Sequence, residues 1–178
     1  MNSARALTYL ISTVFDLYIV SVLLRLLLQW VRADFYNPLS QFLVRITNPL
    51  LKPLRQVIPS IGKLDTAAVV LAVLLELASL VIISLVNSFP LNWPQLLVLA
   101  FTKLLMAVLW LYFFLILAVV ILSWLGGRAR HPIVPLIYQL TEPVLRRFRK
   151  LIPTIGGIDL SPLFAIIAIR FLILLLGY

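Results

Sequence analysis

The sequence predicts an all-α membrane protein: four transmembrane helices set out as two parallel repeats, each with a basic amphipathic interfacial helix between its spans. Three observations carry that expectation. Of 178 residues, 63% are hydrophobic and 12% charged, with a mean hydropathy of +1.12, far outside the range of a soluble globular domain. The excess positive charge is confined to two connecting segments. Those two segments also share one residue pattern.

A membrane-crossing helix needs about 20 mostly apolar residues. Four stretches meet that need: about 7–31, 66–86, 95–125 and 161–178. The first repeat then covers 1–94 and the second 95–178, with cytoplasmic amphipathic loops at 32–64 and 126–160. The first apolar stretch is too long for a signal peptide, contains Asp16 and Arg25, and lacks a small-residue cleavage site. It is expected to remain as a span.

The formal charge of +9 would suggest nucleic acid if it were spread over one face. It is not. Residues 32–64 hold five basic side chains against Asp34, and residues 126–158 hold six against Glu142. Elsewhere the charges cancel, so nucleic acid is not an expected partner. The positive-inside rule places both basic segments in the cytoplasm and both termini, with the link "NSFPLNWP", on the periplasmic side of a bacterial inner membrane. Trp30 and Trp124, at the ends of the first and third spans, suit the membrane interface.

Sliding the chain by 94 positions superposes the basic segments: Pro38 on Pro132, Thr47 on Thr141, Pro49 on Pro143, Arg55 on Arg149, and "IPSIGKLD" on "IPTIGGID". Each copy holds an even number of spans, so the duplication is parallel. Within the first segment Leu50, Leu51, Leu54, Val57 and Ile58 fall on a helical stripe, opposite Lys52, Arg55 and Gln56. The second segment has Val144, Leu145, Phe148, Leu151 and Ile152 against Arg146, Arg147, Arg149 and Lys150. Both predict helices lying in the inner membrane surface.

"TNP" and "TEP" predict that these helices begin with proline in the first turn, capped by Thr47 or Asn48 and by Thr141. Pro59 and Pro153 end them. Gly62 and Gly156 supply a positive-φ corner, and Asp65 and Asp159 are placed to accept the first free amides of the following span. The corner turns the chain from the membrane surface into the bilayer. Arg45, Lys52, Arg55, Arg146, Arg147, Arg149 and Lys150 form the candidate surface for anionic lipid or a protein partner.

Asp16, Arg25, Glu76 and Arg170 are intramembrane charges, which are costly and ordinarily face a partner or a cavity. Glu76 and Arg170 occupy equivalent places in the repeat and have opposite signs. The expected pair is Glu76 with Arg170, with Arg25 as the rival partner of Glu76. Lys103 is expected to reach the interface along its own stem. Asp16 needs a partner elsewhere: Lys103, or another subunit of a homo-oligomer.

No catalytic, cofactor-binding or metal-binding residues are expected. The chain has no cysteine and a single histidine, His131 beside Pro132, and lacks phosphate-loop, dinucleotide and zinc-protease signatures. A non-enzymatic role follows.

The string "LLRLLLQWVRADFYNPLSQFLVRITNPLLKPLRQVIPSIGKLD" and its echo "HPIVPLIYQLTEPVLRRFRKLIPTIGGIDLSP" resemble the YggT/YlmG family of small integral membrane proteins. The most specific part is the doubled N-P, T-x-P and I-P-x-x-G-x-x-D pattern, with His131 standing in the second copy where the first has Asn37. The resemblance implies a cytoplasmic-membrane protein and carries over no active-site residues. Its associations are assembly of a covalently bound haem, division and nucleoid distribution in plastid and cyanobacterial relatives, and division neighbourhoods and osmotic tolerance in bacteria. A membrane scaffold or assembly factor holding anionic lipid and protein partners is therefore the expected function; the alternative is an oligomeric transporter or channel for ions or osmolytes.

Overall fold

The computed structural model describes residues 2–124, 131–152 and 159–177. Six helices account for most of them: α1 (Asn2–Trp30), α2 (Pro38–Val57), α3 (Thr66–Val86), α4 (Trp93–Trp124), α5 (Ile133–Leu151) and α6 (Ser161–Leu175). Among the described residues there is no β-strand, only an isolated bridge between Ile61 and Leu64.

Three helices, α1, α3 and α4, are long and apolar enough to cross a membrane, so the protein is a multi-pass membrane protein. The expected fourth span, α6, is apolar but has 15 residues. At 1.5 Å per residue it extends about 22 Å, against a hydrocarbon core of about 30 Å. Its end has a local cause: Gly177 adopts φ +87° and its amide returns to Leu174 O, which stops the helix.

The ends of α1 and α3 use the same device without glycine. Arg32 and Ser88 sit at φ 55° and 54°. Around Arg32, the Arg32 amide bonds Gln29 O and the Ala33 amide bonds Leu28 O; around Ser88, the Ser88 amide bonds Leu85 O and the Phe89 amide bonds Ser84 O. Both are Schellman closures, which satisfy carbonyls left over by the last turn. They turn the chain out of the apolar helix within two residues.

The start of the basic helices corrects the sequence expectation. Thr47 and Thr141 are not caps. α2 begins at Pro38, where Asn37 Oδ1 accepts the Leu39 amide at 3.0 Å, and α5 begins at Ile133, whose amide donates to His131 Nδ1 at 3.3 Å. Pro49, Pro53 and Pro143 therefore lie inside helices. A proline there removes a hydrogen bond and crowds the carbonyl one turn back. α1 donates to α2 just before Pro49: Tyr18 Oη to Ile46 O at 3.0 Å, and Arg25 Nη1 to Val44 O at 3.4 Å.

The chain packs as two compact units, one of Met1–Leu26 with Leu43–Ala107, the other of Leu27–Phe42 with Val108–Tyr178. In the first, Ile19, Val22 and Leu23 of α1 are buried together with Leu51 of α2 and Ala67, Ala68, Leu71 and Ala72 of α3. The small side chains of α3 permit the close helix approach that membrane packing favours. In the second, Ile116 and Val119 of α4, Leu136, Leu140 and Leu145 of α5, and Ala165, Ile169 and Ile173 of α6 are buried.

Candidate functional site

Each unit contains a guanidinium clasped to the aspartate that precedes the next apolar helix. In the first, Arg55, in the last turn of α2, is ion-paired with Asp65 through Nη2 and also reaches it through Nε at 3.2 Å. Asp65 is fully buried, and its Oδ1 accepts the Ala68 amide at 3.3 Å as the N-cap of α3. Gly62 turns the corner at φ 60°, and Pro59 O accepts the Thr66 hydroxyl at 2.5 Å. One carboxylate thus both caps the apolar helix and anchors the basic one.

In the second unit Arg149 Nε donates to Asp159 Oδ2 at 2.9 Å, and its Nη1 donates to both oxygens of Glu142 at 3.0 Å. Asp159 Oδ1 accepts the Ser161 amide at 2.9 Å. Asp159 stands one residue farther from its helix than Asp65 does, because α6 begins at Ser161 where α3 begins at Thr66. This clasp is wetter: Arg149 and Asp159 are 39% and 38% exposed. Partial burial raises the Asp159 pKa, but Ser161 and Arg149 outweigh it and hold the carboxyl below the usual range. The clasp is thus charged at neutral pH, and its contribution is lost as pH falls through that lowered value. Pro153 and Gly156, the rest of the second corner, lie outside the described residues.

Arg45 and Lys52 are exposed on α2, as are Arg146, Arg147 and Lys150 on α5. α2 has three faces. Ser40, Leu43, Thr47 and Leu51 are buried; Phe42, Leu50 and Val57 are exposed and apolar; Arg45, Lys52 and Gln56 are exposed and polar. A helix packed against protein on one face retains a second apolar face for another medium.

The intramembrane charges assort differently from expectation. Glu76, buried on α3, is paired not with Arg170 or Arg25 but with Lys103 Nζ at 2.5 Å. Lys103 does not reach for the interface; it also approaches Asp16 Oδ1 at 4.0 Å, so one ammonium lies near two carboxylates from α1 and α3. The reason is packing: α3 and α4 are joined by a short link, so α4 brings its one lysine alongside the acid of its neighbour. Arg25, buried on α1, donates instead to Thr47 Oγ1 at 2.5 Å. Thr47 Oγ1 in turn donates a hydrogen bond to Leu43 O at 2.6 Å. Arg170 lies 5.6 Å from the centre of the Trp110 ring, a cation–π contact.

Sequence reasoning missed the capping role of Asn37 and the pairing of Thr47 with Arg25. The first had a signal, since Asn-Pro is itself a helix-start pattern. The second had none, because it depends on how α1 crosses α2.

A family model described as CCB3/YggT matches residues 4–86 and 98–178. The chain belongs to the CCB3/YggT family. The first matched stretch takes in α1 to α3, and the second most of α4 with α5 and α6. This family member is 43% identical over 167 residues to an uncharacterized protein of Pseudomonas aeruginosa, covering 93% of the chain and 85% of that relative. It is 44% identical over 179 residues to an uncharacterized protein in the proC 3' region of Vibrio alginolyticus, covering 99% and 95%. It is 40% identical over 162 residues to the uncharacterized protein YggT of Escherichia coli strain K12, covering 90% and 84%. No solved structure matches the chain.

Proposed function

We propose that this family member is a non-enzymatic scaffold or assembly factor of the bacterial cytoplasmic membrane. Its basic helices α2 and α5 lie in the inner leaflet, hold anionic lipid and present a surface to a protein partner. The observation that carries this reading is the recurrence of the clasp, Arg55 with Asp65 and Arg149 with Asp159. In both places it ties the end of a basic helix to the start of the next apolar helix, which fixes the basic helix at the level of a membrane surface. The exposed apolar face of α2, beside Arg45 and Lys52, suits an interface with acyl chains on one side and head groups on the other.

The same reading arranges the chain as four spans in two parallel repeats. The family match falls in two stretches beginning at residues 4 and 98, and the order of long apolar, basic and apolar helix occurs twice. Both clasps are then cytoplasmic and both termini periplasmic, as the charge distribution favours. Cell-envelope, division or cytochrome-maturation roles are the settings in which such a scaffold would act.

The test is lipid retention. Each basic side chain near an anionic surface contributes about 1 kcal/mol. Replacing Arg146, Arg147 and Lys150 by glutamine lowers co-purifying phosphatidylglycerol and cardiolipin at least several-fold, with the protein still monodisperse. Unchanged retention overturns lipid holding by α5. Labelling of single cysteines beside Arg55 and Arg149 with an impermeant reagent checks the topology, which fails if the two react from opposite sides.

The transporter reading draws on one observation, the Asp16, Glu76 and Lys103 cluster in apolar helices. It requires ion or osmolyte flux in liposomes that is lost in Glu76→Gln while the fold persists.

A further inference from the structure

Two intramembrane charges point away from the helices that carry them. Asp16 keeps 54% of its side chain exposed, and its contact with Lys103, at 4.0 Å, is at the limit of an ion pair. Arg170 is exposed on α6 over Trp110, and no described carboxylate lies within ion-pairing distance of it. Around Arg170 on α6, Ile167, Phe171 and Leu174 are 55%, 62% and 58% exposed, and on the Asp16 side of α1 Tyr9 is 72% exposed. The α6 face suits lipid except for its one charge, and on the α1 face the hydroxyls of Ser12 and Thr13 beside Asp16 are taken up by Tyr9 O. Such a charge calls for the opposite charge on another apolar helix.

The two charges also match in depth. Asp16 precedes the end of α1 at Trp30 by the same interval as Trp110 precedes the end of α4 at Trp124, about 21 Å at 1.5 Å per residue. Arg170 lies against Trp110. With both tryptophan ends at one membrane surface, as in the topology proposed above and resting on it, Asp16 and Arg170 stand at one level.

We infer that the α1 face around Asp16 and the α6 face around Arg170 form the contact between two copies of this chain, with Asp16 of one copy meeting Arg170 of the next. Charge complementarity chooses the occupant: the same chain supplies both the acid and the cation, each on an apolar helix. Tyr9, on the Asp16 side of α1, then packs toward Phe171 and Leu174. Lys103 remains with Glu76.

The chain has no cysteine, so single cysteines report the contact directly. A chain bearing Val20→Cys is co-expressed with a differently tagged chain bearing Ile167→Cys, and native membranes are oxidised. A mixed disulfide dimer is expected. Arg170→Glu in the second chain lowers its yield at least tenfold, and Asp16→Lys in the first chain restores it. Because Asp16→Lys also approaches Lys103, the neutral pair Asp16→Asn and Arg170→Gln is run in parallel. Each lowers the yield several-fold while the protein stays monodisperse in detergent. Absence of the mixed dimer, or a yield indifferent to Arg170→Gln, overturns the contact. If the cysteines beside Arg55 and Arg149 label from one side and no dimer forms, only this inference fails; if they label from opposite sides, the topology fails and the contact with it.

Discussion

Arg55 and Arg149 make the same bond in surroundings that give it different worth. Asp65 is wholly buried and caps α3, so removing its guanidinium leaves a buried carboxylate held only by the α3 amide and the more distant charge of Arg25. Breaking such a pair costs about 3–5 kcal/mol. Arg149 and Asp159 are both more than a third exposed, where an ion pair contributes about 0–1 kcal/mol. Arg55→Ala is therefore expected to lower the thermal midpoint in detergent far more than Arg149→Ala; equal shifts would show that Asp65 is solvated. Lys103→Met leaves Glu76 and Asp16 together in apolar surroundings and is expected to destabilise by about 3 kcal/mol or more. Adding Glu76→Gln recovers much of that loss, and a double-mutant cycle with a coupling near zero would remove Lys103 from the bridge. At this scale the corner was legible in sequence: Gly62 and Asp65 announce a turn and a cap by their chemistry alone. The partners of Glu76, Arg25 and Arg170 were not. An apolar helix shows which residues are charged but not which neighbour its face meets.

Helix ends divide by what stops them. α6 uses Gly177 to enter the left-handed region, whereas α1 and α3 force Arg32 and Ser88 into it. A side chain in that conformation costs about 1 kcal/mol relative to glycine. Ser88→Gly is expected to stabilise the protein by about 1 kcal/mol, measured as a higher thermal midpoint with the span boundaries unchanged; a lower midpoint would mean that the Ser88 side chain has a role of its own. The boundaries of α3 were readable because a polar cap and a turn bracket an apolar run on both sides. The starts of α2 and α5 were misplaced because Pro49 and Pro143 look like first-turn prolines. Local rules count proline as a break in the helix interior. They cannot register the packing of α1 on α2, where Tyr18 and Arg25 donate to Ile46 O and Val44 O.

Across the whole molecule, three helices reach membrane length and α6 stops short of it. Under the proposed four-span topology, α6 would need its flanking residues and some thinning of the bilayer to cross. Leu176→Cys is accordingly expected to react with an impermeant thiol reagent from the periplasmic side. Reaction from the cytoplasmic side would make α6 a re-entrant helix. The sequence by itself determined that the chain enters the bilayer, where its apolar helices run, and that its positive charge gathers in two segments, because hydropathy and charge are properties of residues taken in order. The tertiary structure alone decided that Lys103 serves Glu76, that Arg25 serves Thr47, and that α2 continues through two prolines. Those outcomes depend on which donor stands within about 3 Å of which acceptor, and that distance exists only once helices distant in sequence have packed.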